Sequence, residues 1–198
     1  MLPNFIAGLG LGLSLIHGVT ASPTSHVNIP RDPSFDISRI EHHEDKELLA
    51  AISKYFISFT TGDYDGMSAL QAEDFHITDI PLEIVRANKQ QWNKANSGFS
   101  SLMTNVTVEA ISIAGSSEPG SFAAMENVVR FTLAVDPPPD AAKNLPPGIK
   151  KGDRSGMIML STIWWNEDGL VYRDLEYGRL IWDHFDIDAF KTSEEAEL

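Results

Sequence analysis

Apolar residues recur every three to four positions from Leu48 to Phe59, and the recurrence stops at Gly62. Leu48, Ile52, Tyr55, Phe56 and Phe59 share one face, which predicts an amphipathic helix over residues 44–61. Gly62 suits a helix C-cap, because glycine enters the left-handed region without a Cβ penalty. Asp63 then caps a second helix reaching about residue 72, with Met67 and Leu70 inward. Over residues 74–80 the period changes to two, the mark of a strand. Phe75, Ile77 and Asp79 share one strand face, while Asp74, His76 and Thr78 share the other. Pro81 ends the run. Residues 54–81 therefore set Tyr55 and Asp79 on the apolar faces of two consecutive elements. A phenol and a carboxylate converging on apolar surroundings are the raw material of proton transfer.

Further along, residues 88–100 predict a third helix with Trp92 as its main apolar residue. Strands follow over residues 102–114, 123–135, 154–165 and 170–182. The turn at 115–120 joins the first two, and Asp168-Gly169 signals a hairpin between the last two. The Pro-rich segment 136–152 is longer than an ordinary strand connection, so it reads as a lid, a dimer contact or a loose insertion. Helices followed by a run of antiparallel strands define an α+β class. A strongly curved sheet closed on one side by the helices would form a cone with an apolar mouth. Residues 22–43 contain Pro23, Pro30 and Pro33 and read as an extended leader, and residues 184–198 as an acidic tail.

The 198 residues suit one domain, here placed at 44–183, plus tails. A formal charge of -13 argues against nucleic acid and against an anionic membrane surface as partners. With no cysteine, disulfides, thiol nucleophiles and Cys-ligated zinc are excluded. Residues 5–19 are apolar, and Val19-Thr20-Ala21 forms a small-residue cleavage pattern, so residues 1–21 read as a secretory signal peptide. On that route, with no membrane attachment after signal removal, Asn105-Val106-Thr107 is a glycosylation sequon.

Each candidate residue carries two readings. Asp79 is either a partly desolvated general base or a cap of the Ile80-Pro81 turn. Tyr55 is either an oxyanion donor or a core tyrosine bonded to another side chain. Strand parity puts Tyr172, Asp174 and Glu176 on one face of the last strand, and Arg173, Leu175 and Tyr177 on the other. Arg130, flanked by Val129 and Phe131, calls for a carboxylate partner, with Glu126 or Asp174 in reach. Trp92, Trp164 and Trp165 read as core or pocket wall. His42, His43, His76 and His184 have no usable metal-ligand spacing, so no metal is expected. Dinucleotide, Walker and nucleophile-elbow motifs are absent.

Three stretches together resemble the NTF2-like superfamily, and within it the SnoaL-like group of polyketide cyclases, ketosteroid isomerase and scytalone dehydratase. They are the aromatic helix closing on Gly-Asp-Tyr at 54–65, the alanine–acidic–aspartate strand at 72–81, and the Asp-Gly hairpin ending in Glu-Tyr at 166–177. Tyr55 and Asp79 fall on the ketosteroid isomerase positions of the oxyanion donor and the proton-abstracting base. That enzyme's third residue, an oxyanion-side aspartic acid, falls near Ser161, where this chain has no carboxylate.

The resemblance implies an NTF2-like cone, often dimeric, and turns the Asp174–Glu176 face inward. It implies a cofactor-independent isomerase, cyclase or dehydratase acting on a small apolar oxygenated metabolite such as a polyketide or terpenoid. Asp79, Tyr55, Glu176 and Asp174 are then the candidate catalytic residues. Trp92, Ser161, Ile163, Trp165, Tyr172 and Phe75 are the candidate ligand contacts. The alternatives are a secreted small-molecule-binding protein using the same cone without chemistry, and a dimerising module.

Overall fold

The computed structural model describes residues 27–139 and 147–182. The signal-peptide reading of 1–21, the tail reading of 184–198 and the middle of the Pro-rich segment lie outside the described residues. Helix α1 spans Lys46–Thr61, and Asp45 caps it through its side chain and the Leu48 N–H at 2.8 Å. Its inward face carries Leu48, Leu49, Ile52, Tyr55 and Phe56. Gly62 closes the helix with φ 72°, the left-handed geometry its position requires. Asp63 caps the short helix α2, Tyr64–Ala69. Helix α3, Lys89–Leu102, opens with a reciprocal capping box between Asn88 and Gln91.

The strands are β1 (Phe35–Asp36), β2 (Gln71–Asp79), β3 (Ile84–Asn88), β4 (Met103–Gly115), β5 (Phe122–Leu133), β6 (Arg154–Trp165) and β7 (Val171–Trp182). They form one sheet in the order β1-β4-β5-β6-β7-β2-β3. The helices bury one face of the sheet, and the described residues share a single core cluster running from Phe35 to Val171.

Three features differ from the sequence reading. The sheet is mixed, because β2 runs parallel to β7 and β1 parallel to β4. A periodicity identifies a strand but not its neighbour, so β2, expected within an antiparallel sheet, crosses over instead. Strand β3 occupies residues left unassigned after Pro81. Residues 27–43 are not an extended leader: Phe35, Ile37 and Ile40 are buried, and Phe35 stacks on Phe56 at 5.3 Å between ring centroids. The domain thus begins before residue 44.

Candidate active site

The in-register pairing of β2, β7 and β6 brings the acidic side chains together. Asp79 on β2 lies beside Glu176 on β7, which lies beside Ser161 on β6. One row below, Ile77, Asp174 and Ile163 align in the same way. Neighbouring strands are about 4.8 Å apart, so side chains in one row are within contact range. Above these rows a cavity of about 550 Å³ opens between the sheet and the helices. Tyr55, Asp79, Asp174 and Glu176 all line it. Its walls are mainly Phe56, Phe59, Met67, Trp92, Phe99, Val129, Phe131, Met157 and Met159. Exposed Asn105 and Val135 mark its rim.

Two hydrogen-bond chains meet at this floor. In the first, Gln71 Nε2 donates to Tyr55 Oη at 3.4 Å, and Tyr55 Oη donates to Asp174 Oδ2 at 3.2 Å. The other Asp174 oxygen, Oδ1, is buried without a partner. In the second, Asn127 Nδ2 donates to Ser161 Oγ at 3.0 Å, and Ser161 Oγ donates to Glu176 Oε1 at 3.1 Å. Glu176 in turn donates to Asp79, whose Oδ1 also accepts the Leu82 N–H at 2.9 Å. Asp79 therefore does serve the turn after β2, while its side chain also faces the cavity; the two readings of Asp79 do not exclude each other.

Burial sets the protonation of the cluster. It pushes Glu176 well above its ordinary value, and the charges of Asp174 and Asp79 push it further. Burial likewise raises Asp174 to about 7, opposed by the Tyr55 hydrogen bond. Tyr55 itself is raised well above the phenol range, by burial first and the Asp174 charge second. Asp79 is raised by burial, but donation from Glu176 and the Leu82 N–H works against the rise. At neutral pH this arrangement keeps the proton on Glu176 and favours the negative charge on Asp79, which accepts two hydrogen bonds.

The other sequence-selected residues separate. Trp92 lines the cavity; Ser161 sits behind Glu176 rather than on the lining. Ile163, in the Asp174 row, and Trp165 and Phe75 are buried in the core, and none of them lines the cavity. Tyr172 is displaced by a register break: Trp164 pairs with Arg173, but Trp165 pairs with Val171. The extra residue breaks the alternation, so Val171 takes the buried place expected of Tyr172. Trp164 faces outward under the Arg173 guanidinium, 4.2 Å from its ring centroid. Arg130 pairs with Glu109 on β4 at 3.2 Å, not with Glu126 or Asp174. No His/Cys/Asp/Glu group able to hold a metal occurs among the described residues.

Gln71 and Asn127 were not singled out from the sequence. Asn127 shares inward parity with Met125 and Val129, and that was the available signal. Gln71 opens β2 beside Ala72, where period two has not yet begun.

No family model matches the sequence, and no curated protein matches it. Solved structures do match the fold. A candidate SnoaL-like polyketide cyclase from Shewanella putrefaciens aligns over 74% of this chain and 93% of its own, at TM-score 0.50 and 12% identity. A candidate hydroxylase, AclR from Streptomyces galilaeus, aligns over 67% of this chain and 79% of its own, at TM-score 0.50 and 16% identity. The chain shares the α+β, NTF2-like fold of these two structures.

Proposed function

We propose that this chain is a cofactor-independent acid–base enzyme that isomerises, cyclises or dehydrates a small apolar oxygenated molecule. The observation that carries the proposal is the convergence of two buried carboxyl groups, a half-buried third and a buried phenol on the floor of one apolar cavity. An apolar core without chemical duty rarely holds carboxyl groups that no cation neutralises.

Asp79, the favoured site of negative charge, accepts a proton from carbon. Glu176, which holds its proton, delivers it to a second position of the same molecule. The transfer leaves Asp79 protonated and Glu176 ionised. Their shared hydrogen bond then returns the proton to Glu176 and restores the starting state. Tyr55 supports the developing negative charge on oxygen. Once Asp174 is protonated it can donate to Tyr55 Oη, and this frees the phenolic hydrogen for the substrate oxygen.

A panel of enolisable cyclic ketones in D2O tests the reading, with α-proton exchange followed by NMR. Wild type exchanges at least one member of the panel. Asp79→Asn loses about 10²- to 10⁴-fold in rate, the usual contribution of a positioned base. An Asn variant with full exchange removes Asp79 from the mechanism. Absence of exchange by wild type favours the second reading, a binding protein using the same cone. That reading has its own support: Tyr55, Asp79 and Glu176 each already have a protein hydrogen-bond partner.

A further inference from the structure

We infer that the cavity selects molecules bearing a protonated amine over neutral or anionic molecules of the same shape. The inference rests on the cavity being the ligand site, as proposed above, but not on catalysis.

Three side chains of acidic type face the cavity, and no Lys, Arg or His occurs among the described residues that line it. The two ion pairs of the described residues, Arg31–Glu41 and Arg130–Glu109, lie elsewhere. The groups packed around the cluster are Tyr55 on α1, Gln71 on β2, Asn127 on β5 and Ser161 on β6. All four are neutral, and Lys89 Nζ, which reaches Gln71, donates to its backbone carbonyl at 3.0 Å. Among the described residues, the side-chain hydrogen bonds to the cluster therefore come from neutral groups. Asp174 Oδ1 is buried with no hydrogen-bond partner among them. An ammonium group supplies what is missing, a cation that is also a hydrogen-bond donor.

The walls favour the same ligand. Tyr55, Phe56, Phe59 and Trp92 line the cavity, and aromatic rings attract a cation through their quadrupoles, most strongly in a site shielded from water. An anion meets the opposite situation, since it would add to an uncompensated negative cluster. A neutral alcohol can make hydrogen bonds but gains nothing from the charge. An opposite charge within about 4–6 Å lowers a carboxyl pKa by roughly 1–3 units, which by linkage is roughly 10- to 1,000-fold in affinity. Because Asp174 titrates near 7, the advantage grows from pH 5 to pH 8.

Calorimetry on the full chain with tryptamine, tryptophol and indole-3-acetate tests the inference, since these probes share a ring and differ in charge. At pH 8 tryptamine binds at least about tenfold tighter than tryptophol, and indole-3-acetate binds more weakly than either. The tryptamine advantage shrinks at pH 5. In paired buffers of different ionisation enthalpy, tryptamine releases protons on binding near pH 7 and tryptophol does not. Asp174→Asn weakens tryptamine binding more than tryptophol binding, so the advantage at pH 8 falls, and a cooperative thermal unfolding transition reports that the variant is folded.

Equal or tighter binding of tryptophol at pH 8 overturns the inference, as does failure of tryptamine to bind wild type. Neither result touches the ketone exchange experiment. Conversely, an amine preference without any ketone exchange keeps this inference and removes the enzyme.

Discussion

Asp79 combines a structural and a chemical position in one side chain. Its Oδ1 accepts the Leu82 N–H, and the same carboxyl group receives the Glu176 proton. The two roles separate by substitution. Asn keeps an oxygen for the Leu82 N–H, whereas Ala leaves that donor unpaired. Both changes remove the charge, so the difference between them reports the hydrogen bonds that Asn can keep, to the Leu82 N–H and to Glu176. Asp79→Asn should exceed Asp79→Ala in stability by about 1 kcal/mol or more, since leaving a part-buried donor unpaired costs about 1–3 kcal/mol at full burial, measured by urea denaturation. Equal midpoints would show that these contacts contribute nothing. At this scale much was legible in the sequence. Period two grouped Asp79 with Phe75 and Ile77, and helical spacing set Tyr55 among Ile52 and Phe59. What was not legible is the wiring between them. The Asn127–Ser161 contact joins residues 34 positions apart, and it exists only because β5 and β6 pair in one particular register.

Among the elements, the segment before α1 departs most from its sequence. Three prolines and a lack of periodicity make residues 22–43 look like a leader. Yet two residues pair with β4, and Phe35, Ile37 and Ile40 enter the core. A strand of two residues is too short to show a period, so packing rather than pattern defines it. The Phe35 ring, 3% exposed and stacked on Phe56, makes this testable. Phe35→Ala should cost about 3–5 kcal/mol, the range for emptying a buried aromatic site, in chemical denaturation. A leader lying outside the core would give no measurable change. The parallel pairing of β2 with β7 escaped for a related reason. It is nevertheless what assembles the site, since it sets Asp79 beside Glu176 and Ile77 beside Asp174. An antiparallel neighbour of β2 would have given a different set of rows and a different floor.

For the whole molecule, two buried carboxyl groups and a half-buried third, with no Lys, Arg or His among the described residues that line their cavity, amount to a stability cost that depends on pH. The ordinary Asp value is 3.8 and Asp174 in the folded chain stands at about 7. Between those values the folded chain holds a proton that the unfolded chain releases, so stability falls as pH rises. The contribution is fully present below about pH 4 and is lost as pH passes through about 7. Glu176, also raised by burial, adds in the same sense above its own ordinary range. Repulsion within a chain of formal charge -13 grows in the same direction as carboxyl groups ionise. Asp32, lowered by its Ser34 hydrogen bonds, works in the opposite sense, but only at the acid end. About three units at ~1.4 kcal/mol each set an upper bound near 4 kcal/mol for Asp174. Thermal denaturation should therefore give a midpoint that declines from pH 5 to pH 8, and Asp174→Asn should flatten the decline and raise the midpoint at pH 8. A flat wild-type profile would mean that Asp174 ionises in the folded chain as readily as in the unfolded one. Because a bound ammonium stabilises the ionised cluster, saturating tryptamine should raise the wild-type midpoint more at pH 8 than at pH 5. The same cluster that weakens the empty protein at high pH would then be what holds its ligand there.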